Sequence, residues 1–331
     1  MLTVAIVGAF LLAFAAGLLL NFLFLRLGAR WAKIEGASWK RLLAAALAIG
    51  ALGLLFGGLS RLLAEKTRDI ASLASVLEVA LQPIAAWVAI ALILRVKFWR
   101  AAQAWLPTLI PGAAMVALVL LVVRPFLLEA FKTPSNSMAP TLLGLHQQGV
   151  CPTCGGPAYC SATPGLMICE QGFHTAPAKP SSNYVHEGDR FLVCKFLAPR
   201  RWDVVVFLFP EEPTNLYTKR LVGLPGEEVS IKDGAVWING EKQTPPESLK
   251  GITYVTDMGH GISASWGTAA HPAKLGPDEY FVLGDFSLAA RDSRFWEKGA
   301  PGHAPYAVPA SYLRGVVTHI YWPLSRCRVL R

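Results

Sequence analysis

Apolar and polar positions are distributed unevenly along the chain. Four long apolar runs fill its first part: Val4–Leu27, with Asn21 as its one strongly polar member; Leu42–Leu63; Leu73–Val96, interrupted by Glu78, Gln82 and Pro83; and Leu106–Leu128, with Pro111 near its start and Arg124 near its end. Each reaches the ~20 residues that a bilayer-spanning helix requires. The third is the most costly in lipid, because Glu78 needs either the interface or the interior of a bundle. From about Phe131 the pattern changes. Asp203–Phe209 and Glu279–Leu283 are rich in β-branched and aromatic residues and predict buried strands. Glu228–Gly240 sets Asp-Gly and Asn-Gly beside short alternating segments, a strong hairpin signal, and Gly315–Trp322 predicts a further strand. The expected architecture is mixed: a transmembrane helical region over residues 1–128, with about four spans, then a mainly-β domain over residues 129–331.

Composition supports that division. Of 331 residues 53% are hydrophobic and 16% charged, against averages of about 45–50% and about 25%. The formal net charge is +9, but the Lys and Arg are scattered and many flank the apolar runs. Topology and lipid headgroups account for them, and without a basic stripe nucleic acid is not an expected partner. The loop after the first run carries Arg30, Lys33, Lys40 and Arg41, with Arg26 at its edge; the loop after the third carries Arg95, Lys97 and Arg100. The loop between them has Arg61, Lys66 and Arg68, diluted by Glu65 and Asp69. Placing the first and third loops in the cytoplasm puts more positive charge inside, and leaves both termini and everything after Leu128 outside. A cleaved signal peptide is not expected, because Met1-Leu-Thr has no basic residue and the apolar run that follows is long.

Directly after the fourth run the chain reads Pro134-Ser-Asn-Ser-Met-Ala-Pro-Thr-Leu142. A serine held in such a turn at a membrane exit is a candidate nucleophile, and Lys219 in Leu216–Glu227 is a candidate base. Alone, the first segment is more simply a turn or helix cap, and a Lys-Arg pair a solvated strand edge. Four blocks in order change the weighing: Pro134–Leu142, preceded by Arg124–Phe131; Gly188–Phe196; Arg201–Phe207 continuing to Lys219–Glu227; and Gly284–Arg294. Together, over roughly residues 120–323, they resemble bacterial signal peptidase I, a membrane-bound serine–lysine protease family that removes signal peptides from exported proteins.

The resemblance implies Ser137 as nucleophile, Lys219 as general base and Ser135 as an oxyanion donor beside the Ser137 N–H. It also implies structural ion pairs among Arg220, Asp285, Asp292 and Arg294, with Arg220 partnering Asp285. A lysine can take a serine proton only when neutral, and burial among Leu216, Tyr217, Leu221 and Val222 would lower its pKa. Expected substrates are signal-peptide-bearing preproteins, cut after small residues of Ala-x-Ala type, with no cofactor for the chemistry. The expected site of action is the bacterial inner membrane, with the lipid bilayer as second partner and the catalytic domain extracytoplasmic. The fourth block departs from the family: Phe286 stands where asparagine is usual, and Ala290 where a serine hydroxyl helps orient the lysine. Ser287 and Ser293 are nearby candidates to replace it. A catalytically impaired homologue that binds partners through its Cys-rich insertion is therefore the alternative. A self-cleaving repressor protease would share the dyad, but four spans and the lack of a helix-turn-helix signature disfavour it.

That insertion covers about residues 145–182 and holds Cys151, Cys154, Cys160, Cys169 and His174. Cys151-Pro-Thr-Cys154-Gly resembles the knuckle of a zinc ribbon, whereas Cys160 and Cys169 are spaced too widely for a second one. Outside the cytoplasm the four cysteines fit structural zinc or two disulfides. Cys194 and Cys327 read as packed or surface thiols, and His146, His260, His271 and His303 as surface residues.

Overall fold

The computed structural model describes residues 2–64, 68–161, 165–259 and 261–331, with backbone alone at 2–13, 60–64, 68–80 and 161. Glu65, Lys66 and His260 lie outside the described residues. The chain divides into two compact units, Met1–Leu121 and Val122–Arg331. That division falls inside the fourth apolar run, so a boundary after residue 128 remains a reading of composition.

The first unit is helical: α1 (Leu2–Trp31), α2 (Trp39–Ala64), α3 (Arg68–Leu94), α4 (Phe98–Trp105) and α5 (Leu109–Leu118). Its core is built largely from alanines, with Ala29, Ala45, Ala46, Ala101 and Ala104 packed around Leu25 and Ile90. A Cβ on Gly28 would fall 2.0 Å from the Ala104 carbonyl oxygen, so the backbones approach as closely as only glycine allows. Small residues at helix contacts are how helices associate in lipid, where apolar surface gives no drive to pack. Leu55, Leu92 and Leu121 instead point away from protein, at 69%, 72% and 68% exposure. Among the described residues, three stretches are long and apolar enough to cross a membrane: Phe14–Trp31, Trp39–Leu59 and Phe98–Leu127. The third expected run contributes the shorter apolar stretch Leu81–Leu94, and its earlier side chains, Glu78 included, are among those not described.

The second unit is mainly β. Its strands are β1 (Leu128–Lys132), β2 (His146–Val150), β3 (Pro157–Ser161), β4 (Leu166–Cys169), β5 (Thr175–Pro177), β6 (Arg190–Cys194), β7 (Val204–Phe209), β8 (Glu212–Gly223), β9 (Glu228–Lys232), β10 (Ala235–Ile238), β11 (Glu241–Lys242), β12 (Ala273–Lys274), β13 (Glu279–Leu283), β14 (Val308–Pro309), β15 (Leu313–Trp322) and β16 (Arg328–Val329). The largest sheet runs β1-β6-β15-β7-β8-β13-β14, with β16 on β15; β11-β10-β9-β12 and β2-β3-β4-β5 form two smaller sheets. The expected hairpin is β9–β10, with Lys232 opposite Ala235. Asp233 (φ 51°) and Gly234 (φ 75°) take the left-handed backbone that a two-residue hairpin turn requires.

One hydrophobic core joins Val229, Ile231, Phe281 and Phe286 to Ala139 of the Pro134–Leu142 segment and to Leu143 directly after it. Tyr159, Ile168 and Phe173 of the insertion belong to the same core. A second core gathers Val205, Phe207, Leu221 and Trp296. Each large side chain removed from water there contributes about 1.5–3 kcal/mol. The consequence for the site is that the Ser137 segment, β8 and β13 share packed walls.

Candidate active site

The segment after β1 is pinned from several directions. Thr133 N–H donates to the Asp189 carbonyl at 2.9 Å, and Leu143 N–H donates to Asp189 Oδ2 at 2.9 Å. Asn136 acts as an internal tie: its Nδ2 donates to the Leu145 carbonyl at 2.7 Å and its Oδ1 accepts the Gly144 N–H at 2.8 Å. Phe286 N–H donates to the Ser137 carbonyl at 3.1 Å. A Cβ at position 144 would lie 2.6 Å from the carbonyl carbon of Ser135, so glycine is what lets the strand entry pass behind the serines.

Lys219 stands on β8 opposite Val205 and is 4% exposed. Its Nζ donates to Ser137 Oγ at 2.7 Å and to the Thr218 carbonyl at 3.3 Å. The Tyr217 ring lies 5.4 Å from the same nitrogen, and that ring stacks on Phe209 with centroids 4.3 Å apart. Burial pushes the Lys219 amine down to about 8, against the carboxylates of Asp292 and Asp285, which pull it up. Ser135 Oγ lies 3.4 Å from Ser137 Oγ, close enough for the two hydroxyls to face one reacting atom.

Beneath this pair lie two buried ion pairs. Arg220 meets Asp285 through two contacts, Nη2 to Oδ2 and Nε to Oδ1, the latter at 2.9 Å. Thr141 Oγ1 donates to Asp285 Oδ2 at 2.5 Å and accepts from Arg220 Nη2 at 3.1 Å, which ties the serine segment to the pair. Arg294 grips Asp292 through Nε at 2.8 Å and Nη2 at 2.7 Å, and Asp292 Oδ2 accepts the Gly284 N–H at 2.8 Å. Neither replacement hydroxyl considered from the sequence reaches Lys219. Ser287 Oγ accepts from Val255 N–H and Arg294 Nη1, and Ser293 Oγ accepts from Val282 N–H. Around Ala290 the amine is held by Thr218 and the Tyr217 ring instead; Tyr217 was expected among the side chains that bury Lys219, whereas the Thr218 carbonyl contact was not.

Ser135, Ser137 and Lys219 line one cleft of about 390 Å³, closed by Pro134, Met138, Leu216, Tyr217, Ala289 and Arg291. A larger cavity of about 870 Å³, lined by His146, Tyr159, His186 and Arg326 among others, contains neither Ser137 nor Lys219. The smaller cleft is the candidate active site because Ser137 and Lys219, the expected nucleophile and base, converge there. His146 is not the surface residue expected from its polar neighbours: it is 3% exposed, and its Nδ1 pairs with the Gly144 carbonyl at 2.8 Å. In the insertion, Cys151, Cys154 and Cys169 come together with His174. Cys160, placed by sequence among the ligands, turns away and donates to the Gln147 carbonyl at 3.3 Å. All six thiols are free, so the two-disulfide arrangement is not the one present.

Residues 166–322 match the family model described as "Signal peptidase, peptidase S26". That span contains Lys219 and the ion pairs but begins after Ser137. Signal peptidase I T of Bacillus subtilis (strain 168) is 32% identical over 134 residues, covering 39% of this chain and 67% of that protein. The chain belongs to the signal peptidase I family. Signal peptidase I of Pseudomonas aeruginosa is 30% identical over 205 residues, covering 55% of this chain and 60% of that one. A crystal structure of a signal peptidase I from Enterococcus faecalis V583 is 25% identical and covers 37% of this chain and 98% of that one, with a TM-score of 0.26. Signal peptidase I proteins are serine endopeptidases, and this chain spans about two thirds of the length of the Bacillus and Pseudomonas relatives named above.

Proposed function

We propose that this protein is a membrane-bound endopeptidase that removes signal peptides from exported preproteins with a Ser137–Lys219 dyad. The observation that carries the reading is the 2.7 Å contact between Lys219 Nζ and Ser137 Oγ, made by a lysine whose amine is lowered to about 8. In the neutral form the amine accepts the Ser137 proton as Oγ bonds to the scissile carbonyl carbon. The Ser135 hydroxyl and the Ser137 N–H donate to the resulting oxyanion. Collapse breaks the peptide C–N bond, and the lysine proton passes to the leaving amine. A water, deprotonated by the same lysine, then hydrolyses the acyl-enzyme.

Substrate binding follows from the edge of β8. β7 pairs along β8 from Glu212 to Arg220, whereas β13 pairs only at Arg220, Leu221 and Gly223. Leu216–Lys219 therefore has one strand neighbour among the described residues, and an extended peptide can add along its other side. The small cleft bounded by Pro134, Met138 and Ala289 suits short side chains such as those of Ala-x-Ala sites. Four spans, with the loops after the first and third runs in the cytoplasm, would put this edge on the extracytoplasmic side.

The test is preprotein cleavage by the full chain in detergent. Ser137→Ala and Lys219→Ala should each lower the rate by on the order of 10³-fold or more; unchanged cleavage in both would remove the dyad assignment. The impaired-homologue reading draws on Ala290, and the parent protein failing to cut an Ala-x-Ala preprotein at pH 9, with the lysine neutral, would favour it.

A further inference from the structure

Among the described residues, a group of side chains able to ligate a metal lies outside the cleft, at one end of the insertion sheet. Two turns of equal reach meet there. Cys151 N–H donates to the Gly156 carbonyl at 2.8 Å, closing the turn before β3, and Cys169 N–H donates to the His174 carbonyl at 2.9 Å, closing the turn after β4. Because β3 and β4 pair with Ala158 opposite Cys169, both turns open at the same end of the sheet. The first supplies Cys151 and Cys154, the second Cys169 and His174. Their ligand atoms all lie within 4.8 Å of one another.

Two of the edges lie close to those of a tetrahedral site. Cys154 Sγ and Cys169 Sγ are 3.3 Å apart, and Cys151 Sγ and His174 Nδ1 3.8 Å. Zinc bonds of about 2.3 Å to sulfur and about 2.0 Å to nitrogen give ligand separations of about 3.5–3.8 Å. The local backbone is shaped for it: a Cβ on Gly172 would sit 2.8 Å from the His174 ring, so glycine lets the imidazole fold back over its own turn. With Cys160 turned away, three thiols remain, an odd number that two disulfides cannot use but a Cys₃His site can. The four strands are only three to five residues long, and the core at this end is little more than Ala158, Met167 and the cysteines themselves. So small a core ordinarily needs a staple.

We propose that Cys151, Cys154, Cys169 and His174 bind one zinc ion that closes the insertion sheet. Three thiolates and an imidazole leave no open position, so the ion is structural, and thiolate-rich tetrahedral sites select zinc over magnesium or calcium. The site is independent of the peptidase reading, since none of its residues lines the cleft.

The test uses the purified full chain, reduced and loaded first with zinc and then with cobalt(II). Elemental analysis should give one zinc per chain, and cobalt should show the thiolate charge-transfer and ligand-field bands of a tetrahedral site. Cys154→Ser should lose the ion, while Cys160→Ser should keep it. His174→Cys guards against a merely misfolded variant: it should retain the metal, with the charge-transfer band growing from three thiolates to four. The proposal is overturned by a reduced parent that takes up no metal, by Cys160→Ser losing the ion as Cys154→Ser does, or by Cys151, Cys154 or Cys169 proving to be disulfide-linked in protein taken from the membrane.

Discussion

Taking Lys219 out of water lowers its amine from 10.5 to about 8, and that shift opposes folding as much as it serves chemistry. At about 1.36 kcal/mol per pKa unit the penalty is about 3 kcal/mol. Between those two values the unfolded chain holds a proton that the folded one does not, so stability rises with pH through this window. Below about 8 the full penalty applies, and above 10.5 it is gone. Lys219→Met should therefore melt higher than the parent at pH 7, with the difference shrinking towards pH 10, while losing all cleavage. Equal melting points at pH 7 would contradict the buried amine. For the parent, the cleavage rate should fall as pH drops through about 8, and a flat profile from pH 9 to pH 5 would exclude Lys219 as the base. Thr141→Val, which unties the serine segment from Arg220 and Asp285, should cost about 1–3 kcal/mol of stability. Ser135, Ser137, Lys219 and the Arg–Asp pairs could be named from sequence because four ordered local blocks resemble a known family, and the resemblance implied them. His146 and His174 were not legible in the same way. Their surroundings are set by strand register and by turns, which bring in groups distant in sequence.

Among the elements, β8 does two jobs along one length: its C-terminal end pairs with β13, with Arg220 held by both β7 and β13, and among the described residues Leu216–Lys219 pairs with β7 alone. An Ala-x-Ala peptide bound to the Ser137→Ala variant should slow amide hydrogen exchange in that edge and in Thr133–Ser135, leaving β9–β10 unaffected. Protection spread evenly over the sheet would rule out strand addition. The hairpin β9–β10 was readable in advance because Asp233-Gly234 demands a left-handed turn, and Val204–Phe209 because its apolar run has no other use in a mainly-β domain. The insertion's sheet was not. Its strands are too short for a period to register, and their glycines and prolines read as loop.

Across the whole molecule, every side chain of the cleft comes from the unit Val122–Arg331. A chain lacking residues 1–97 but keeping the Phe98–Leu127 helix should cut a soluble Ala-x-Ala peptide in detergent within a few-fold of the parent rate. A loss comparable to Ser137→Ala would mean that the earlier helices shape the site. Arg326 bonds both oxygens of Asp189, with Nε to Oδ1 at 2.9 Å and Nη2 to Oδ2 at 3.0 Å, and reaches the Pro140 carbonyl at 3.0 Å. Arg328 holds the Thr141 carbonyl at 2.9 Å. Asp189 is the same carboxylate that supports Leu143, so the serine segment rests on residues made almost two hundred positions later. During synthesis Ser137 and Lys219 leave the ribosome well before Arg326 does. The two can meet while the segment beneath them still lacks its last supports, so hydrolytic competence should arrive as a late event in the biogenesis of this chain, once Arg326 and Arg328 have folded back onto it.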